Sequence, residues 1–164
     1  MAREAIRIIS INPGTRYLGL AIFDGSNLLD WRVKSFEGKW TKEKADRILD
    51  IVREQIELYD IDAIAIKKLH PSRSSKNLKL LVSRIKVLGK KKRIKVQSHS
   101  IKELENFFIM DEKPNKRNLA ERIALEYPVL AHELNEEKSH KNAYHLRMIE
   151  AVALGMMIKT AIDS

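Results

Sequence analysis

The 164-residue chain contains no cysteine. That excludes disulfides, thiolate zinc sites, cysteine nucleophiles and iron–sulfur clusters, and leaves carboxylates and histidines as the available metal ligands. No run approaches the ~18 consecutive apolar residues of a membrane span. Met1-Ala-Arg-Glu-Ala leads straight into a strand pattern without the apolar core of a signal peptide, so a cytoplasmic protein with no membrane partner is expected. Aromatic residues make up 6% of the chain. Acids are missing from one long segment: Lys67 to Lys95 holds twelve basic residues and not one Asp or Glu. The whole chain has 31 Lys+Arg against 22 Asp+Glu, a net +9, so everything outside that segment sums to −3. The basicity is therefore local, on a mildly acidic body. A charge run is ordinarily a solvated face, but ordinary surfaces mix signs to limit self-repulsion. An acid-free stretch of this length points instead to nucleic acid, acidic lipid or an acidic protein as partner.

Hydrophobic patterning predicts one domain over residues 1–164, with no internal repeat and no linker. Ile6 to Asn12 is a short β-branched run ended by Pro13-Gly14, which predicts a buried strand and a turn. Tyr17 to Phe23, closed by Asp24-Gly25, and Leu28 to Phe36 complete an antiparallel meander. The period then changes. Thr41 reads as an N-cap, and Ala45, Ile48, Leu49, Val52, Ile56 and Tyr59 recur at helical spacing up to about Asp60. Ile61 to Ile66 is a fourth strand, apolar enough to be buried on both faces and hence parallel. A loop from His70 to Ser75 leads to a helix over Lys76 to Leu88 with Gly89 as its C-terminal stop. A fifth strand (Arg93 to Gln97), a short helix (Ile101 to Phe108), a helix around Leu119 and Ile123, and a long final helix from about Lys141 to Ile162 follow. The order β-β-β-α-β-α-β-α…α predicts an α/β protein: a mixed sheet covered by helices.

Ser10-Ile-Asn-Pro-Gly-Thr-Arg-Tyr-Leu-Gly-Leu-Ala-Ile-Phe-Asp24 resembles the first hairpin of RuvC-type Holliday-junction resolvases, in the RNase H-like superfamily. That hairpin begins with a strand ending in Asp-Pro-Gly and carries a glycine in the next strand; Pro13, Gly14 and Gly19 fit. Ile64-Ala-Ile-Lys-Lys-Leu-His70 is similar to the family's fourth strand, which ends in a catalytic Glu. Ile149-Glu-Ala-Val-Ala-Leu-Gly155 is similar to the start of its last helix, and the three motifs are in register over essentially the whole chain. The resemblance implies an RNase H-like fold with a five-stranded mixed sheet in the order 3-2-1-4-5 flanked by helices. It also implies a homodimer suited to a four-way DNA junction.

The family's chemistry uses about four carboxylates that hold two Mg²⁺ ions on the scissile phosphate. Carried over residue by residue, those positions are Asn12, Lys67, Arg147 and Glu150, and only Glu150 is an acid. The formal charge of the set moves from about −4 to +1. A cation ~4 Å from another is repelled by several kcal/mol even at an effective dielectric of ~20, so this set is expected to exclude the metals. Lys67 and Arg147 can instead pair with Glu150, or contact a phosphate directly; the two are not exclusive. Asp24 is more simply a turn residue, and a shifted register could bring His145 toward the site at the expense of Glu150.

In the acid-free segment, Lys76, Lys79, Lys86 and Lys90 share one helical face, with Lys68 and Arg73 before it and Lys91, Lys92 and Arg93 after it. Together these nine residues are the expected phosphate-backbone contacts. No aromatic lies among them, and Trp31 and Trp40 read as packing residues, which favours duplex or junction DNA over stacked single strands. The expectation is a RuvC-like protein that binds branched or duplex DNA as a homodimer, with no cofactor and no metal-dependent cleavage. Two other readings stay open: a working Mg²⁺-dependent junction endonuclease with a displaced carboxylate or His set, and a degenerate protein-interaction module.

Overall fold

The computed structural model describes residues 5–70, 72, 74–132, 134–135 and 144–163. Five strands form a single sheet: β1 (Arg7–Asn12), β2 (Tyr17–Asp24), β3 (Asn27–Ser35), β4 (Ala63–Lys67) and β5 (Lys95–His99). Their spatial order is β3-β2-β1-β4-β5, as the resemblance implies. The meander is antiparallel, and β4 and β5 add in parallel to β1. The helices are α1 (Lys42–Tyr59), α2 (Lys76–Lys91), α3 (Ile101–Phe108), α4 (Lys116–Glu126) and α5 (Tyr144–Asp163), with a 3₁₀ turn at Pro128–Leu130.

Strand alternation sends successive side chains to opposite faces and so produces two cores. Ile9, Ile11, Leu20, Ile64 and Ile66 pack under α1 and α2. Ile8, Ala21, Phe23, Ala63 and Ala65 pack under α5, supported by Leu104 of α3 and Leu119 and Ile123 of α4. The small residues on the second face let α5 lie close to the sheet. A Cβ on Gly19 would meet the Arg147 carbonyl oxygen at 2.3 Å, and one on Gly155 would meet the Phe23 ring at 2.2 Å. Because α5 is sandwiched between the sheet and two further helices, Met148 to Gly155 is buried without interruption. That accounts for a sequence apolar on all sides of the helix.

Several ends differ from expectation for identifiable reasons. The Thr41 side chain caps α1 as anticipated, and Asp60 ends it in the left-handed conformation (φ 52°). The fourth strand begins at Ala63 rather than Ile61: Asp62 still belongs to the entry, accepting from the Arg7 backbone N–H through its carboxylate and donating its own N–H to the Arg7 carbonyl, both at 2.9 Å. Helix α2 runs through Gly89 to Lys91, and the reversal falls on Arg93 (φ 57°), which moves the start of β5 to Lys95. Gly89 serves packing instead of stopping the helix: a Cβ there would lie 2.6 Å from Val96 Cγ2 and 3.0 Å from Ile64 Cδ1. Residues 141–143, the expected first turn of the last helix, lie outside the described residues. Among the described residues no helix is long and apolar enough to cross a membrane.

Candidate functional site

The parallel register pairs Ile11 with Ile66, so the next residues of the two strands, Asn12 and Lys67, end side by side on the face covered by α5. Glu150 and Arg147, three residues apart on α5, face the same strand ends. Glu150 is 6% exposed and Asn12 is fully buried. The Asn12 amide Nδ2 donates to Glu150 Oε2 at 2.8 Å and to the Arg147 carbonyl at 3.0 Å, tying β1 to α5. Lys67 Nζ donates to the same Glu150 oxygen at 2.9 Å. The second carboxylate oxygen is 3.8 Å from Lys116 Nζ at the start of α4.

Arg147 is not a partner of Glu150. Its guanidinium turns to the β1–β2 turn, 3.5 Å from the Pro13 carbonyl oxygen and against the space above Gly14. Of the two expected pairings, Lys67–Glu150 forms and Arg147–Glu150 does not. Lys116 takes that second place. Nothing in the sequence marked it, because its position depends on Asn115 capping α4 beside the last helix.

The residue types fit one another electrostatically. An aspartate at position 12 would set a second carboxylate within hydrogen-bond reach of Glu150; the asparagine amide converts that repulsion into a donated bond. Its other atom, Oδ1, is buried with no partner among the described residues, as is Ser10 Oγ two residues earlier on the same face. The donor set does not fit Mg²⁺. The metal asks for several anionic oxygens, whereas here one carboxylate has its oxygens met by an amide and two ammonium groups. Among the described residues no three His, Asp or Glu side chains gather in a metal-binding arrangement. Asp24 stands at the far end of β2 with Arg7 at 3.9 Å. The side chain of His145 lies outside the described residues.

His99 ends β5 beside Lys67. Its Nδ1 is 2.6 Å from Glu103 Oε2, and Ser100 and Glu103 form a capping box that starts α3. The hydrogen bond from His99 and those from Ser100 hold the Glu103 carboxyl below its ordinary pKa.

The nine expected backbone-contact residues divide. Lys68, Lys79 and Lys86 line a groove with Leu69, Val82 and Ser83. A second hollow, also lined by Lys86, brings in Lys90 with Ile94, Val96 and Ser98 at β5. Lys76 stands on the same helical face at the N-terminus of α2. Lys91 instead lines a separate hollow toward α1 with Arg53 and Arg84. Lys92 is tied to Glu57 at 3.0 Å, and Arg93 forms the turn. Arg73 lies outside the described residues.

No family model matches the chain, and no curated protein matches it. A five-stranded 3-2-1-4-5 sheet with helices on both faces is the RNase H-like α/β fold. Solved structures of RuvC-type resolvases are similar to this chain in fold. Thermus thermophilus RuvC in complex with a Holliday junction substrate superposes with a TM-score of 0.72, at 17% identity over 97% of this chain and 96% of the other. A Thermus thermophilus RuvC structure gives 0.65 at 18% identity over 96% of each chain. Fowlpox virus resolvase in complex with substrate Holliday junction DNA gives 0.62 at 16% identity over 97% of this chain and all of the other. At these identities the likeness is one of fold.

Proposed function

We propose that this chain is a RuvC-like nucleic-acid-binding protein that recognises branched or duplex DNA by its phosphate backbone, as a homodimer, and does not cleave it by a metal-dependent route. The observation that carries the reading is the 2.9 Å pairing of Lys67 with Glu150, completed by the Asn12 amide. It neutralises the one acid left at the family's four catalytic positions. The surrounding charge favours an anion: Lys116 and Arg147 flank the pair, and Lys68, Lys76, Lys79, Lys86 and Lys90 extend the positive surface down α2. Phosphate contacts of this kind position a nucleic acid and carry no sequence information directly. Two of the similar structures described above are complexes with Holliday junctions, which supports a four-way junction as the first substrate to try.

The test is a four-way junction incubated with the protein in Mg²⁺ or Mn²⁺, with binding and cutting followed in the same samples and duplex and single-stranded DNA as competitors. Salt-sensitive binding of the junction without strand scission is the expected result. Robust metal-dependent cutting that Glu150→Ala abolishes would overturn the loss of cleavage. No binding to any DNA at low salt would overturn the nucleic-acid reading and leave an acidic protein as the partner of the basic face. Sedimentation of the free protein reads the dimer directly.

A further inference from the structure

A cavity of about 480 Å³ opens at the β1–β2 end of the molecule, lined by Thr15, Arg16, Phe36, Glu37, Gly38 and Trp40. Its volume lies in the range of small-ligand sites, roughly 300–1,000 Å³. Thr15 and Arg16 directly follow the Pro13–Gly14 turn on which Arg147 rests, so the cavity adjoins the proposed DNA-binding end without sharing its lysines. The walls are held in place. The Phe36 backbone N–H donates to the Arg16 carbonyl at 2.8 Å, joining the two sides. Lys44 of α1 reaches back to the carbonyls of Glu37 and Lys39, the latter at 2.6 Å, and Gly38 supplies the left-handed residue (φ 79°) that lets the loop close around the ammonium group. Thus Lys44 is occupied in shaping the loop and is not offered to a ligand.

What remains exposed inside is chemically mixed. Trp40 packs one part of its indole against the core under α1 and turns the rest to the cavity. The Arg16 guanidinium lies over the Tyr17 ring, 5.3 Å from its centroid, and its N–H donors have no ion pair among the described residues. The Glu37 carboxylate likewise has no ion pair or side-chain hydrogen bond there. A bare phosphate would be repelled by Glu37, and an apolar ligand would make no use of either charge. An aromatic face, a carboxylate and a cation together suit a nucleotide: ring against Trp40, base N–H groups toward Glu37, phosphate toward Arg16.

We infer that this cavity is a nucleobase-binding pocket that receives an unpaired base at a DNA branch, and that Glu37 selects guanine. The inference rests on the reading of the chain as a binder of branched DNA. Guanine presents two N–H donors, N1 and N2, on one edge and can meet a carboxylate in bidentate fashion; thymine presents a single N3 donor. The difference is one charge-assisted hydrogen bond, which predicts selectivity of about tenfold.

The experiment compares three four-way junctions in equilibrium binding: fully paired, with one unpaired guanine at the branch, and with one unpaired thymine. The guanine junction is expected to bind about tenfold more tightly than the thymine junction, and Glu37→Gln is expected to bring that ratio to near one. Equal affinities in the unaltered protein, or a ratio that survives Glu37→Gln, overturns the pocket while leaving the fully paired junction as proof that DNA binding stands. If no junction binds, the reading of the protein as a branched-DNA binder fails. The pocket is then judged by tryptophan fluorescence in the Trp31→Phe protein, where Trp40 is the sole reporter: quenching by deoxyguanosine monophosphate in preference to deoxythymidine monophosphate supports it, and no quenching overturns it.

Discussion

Lys67, the last residue of β4, and Glu150, on the helix that crosses the sheet, form an ion pair of 2.9 Å in which the side chains are 17% and 7% exposed. A pair this enclosed is costly to break from one side, because the surviving charge is left with little water. Lys67→Met is therefore expected to lower the unfolding free energy by about 2 kcal/mol, less than for a wholly unpaired charge because the Asn12 amide and Lys116 still face the carboxylate. Lys67→Met with Glu150→Gln should restore most of it, since the Asn12 amide can still donate to the glutamine oxygen. Urea denaturation of the single and double variants measures both; equal losses in the two would show that the pair acts independently of its charge.

The same geometry makes a prediction about metal. Asn12→Asp, Lys67→Glu and Arg147→Asp together place four carboxylates where the protein now has one. Without a divalent ion this triple variant should be less stable than the parent through like-charge repulsion. Added Mg²⁺ or Mn²⁺ should raise its melting temperature in proportion to the logarithm of metal concentration, while leaving the unaltered protein unmoved. A metal-dependent rise in the unaltered protein would mean that its own residues hold the ion.

Gly89 offers a test of packing against propensity. Alanine in a helix interior is favoured over glycine by about 1 kcal/mol, but here the added methyl would enter the Val96 and Ile64 side chains at 2.6 and 3.0 Å. Overpacking costs of about 1–3 kcal/mol outweigh the propensity gain. Gly89→Ala is expected to be destabilising by about 1 kcal/mol net, readable in the denaturation midpoint.

That glycine also marks the limit of the sequence as a guide. The elements and the Thr41 cap could be anticipated from period-2 and period-3.6 patterns, which are local signals, whereas the strand order and the grouping of Asn12, Lys67 and Glu150 come only with the family resemblance of the three motifs. Gly89 read as a helix stop because a glycine after an amphipathic run looks the same whether it ends the helix or lets it approach a sheet. The Arg147 direction, and Lys116 facing Glu150, depend on how α4 and α5 meet, information spread over residues more than thirty positions apart. The division of the basic segment follows from acids on another helix: Glu57 and Asp46 of α1 claim Lys92 and Arg84.

Glu103 gives the pH dependence. Its carboxyl sits below the ordinary pKa chiefly because His99 donates to it, then because Ser100 does. A depressed folded-state pKa means that the ionised form is favoured by folding. The contribution is fully present above the carboxylate's unfolded value and is lost as pH falls through its lowered folded one. NMR titration should find the Glu103 midpoint rising toward the ordinary value in His99→Ala. An unchanged midpoint would assign the depression to Ser100 alone.

The last prediction concerns salt. Each phosphate neutralised on duplex DNA contributes about −0.9 to the slope of log affinity against log salt. Lys79 and Lys86 line the hollow with Lys68 and Leu69 and carry no ion pair among the described residues, so Lys79→Ala and Lys86→Ala should each flatten the slope by close to one unit. Lys92 is already paired with Glu57, and Lys91 faces the hollow toward α1. Replacing either by alanine should leave the slope within a few tenths, although both belong to the same run of basic residues in the sequence. Fluorescence anisotropy of a labelled junction across a salt series measures all four variants. A slope that falls equally for Lys91 and Lys86 would place the DNA across the end of α2 instead of along its β5 side.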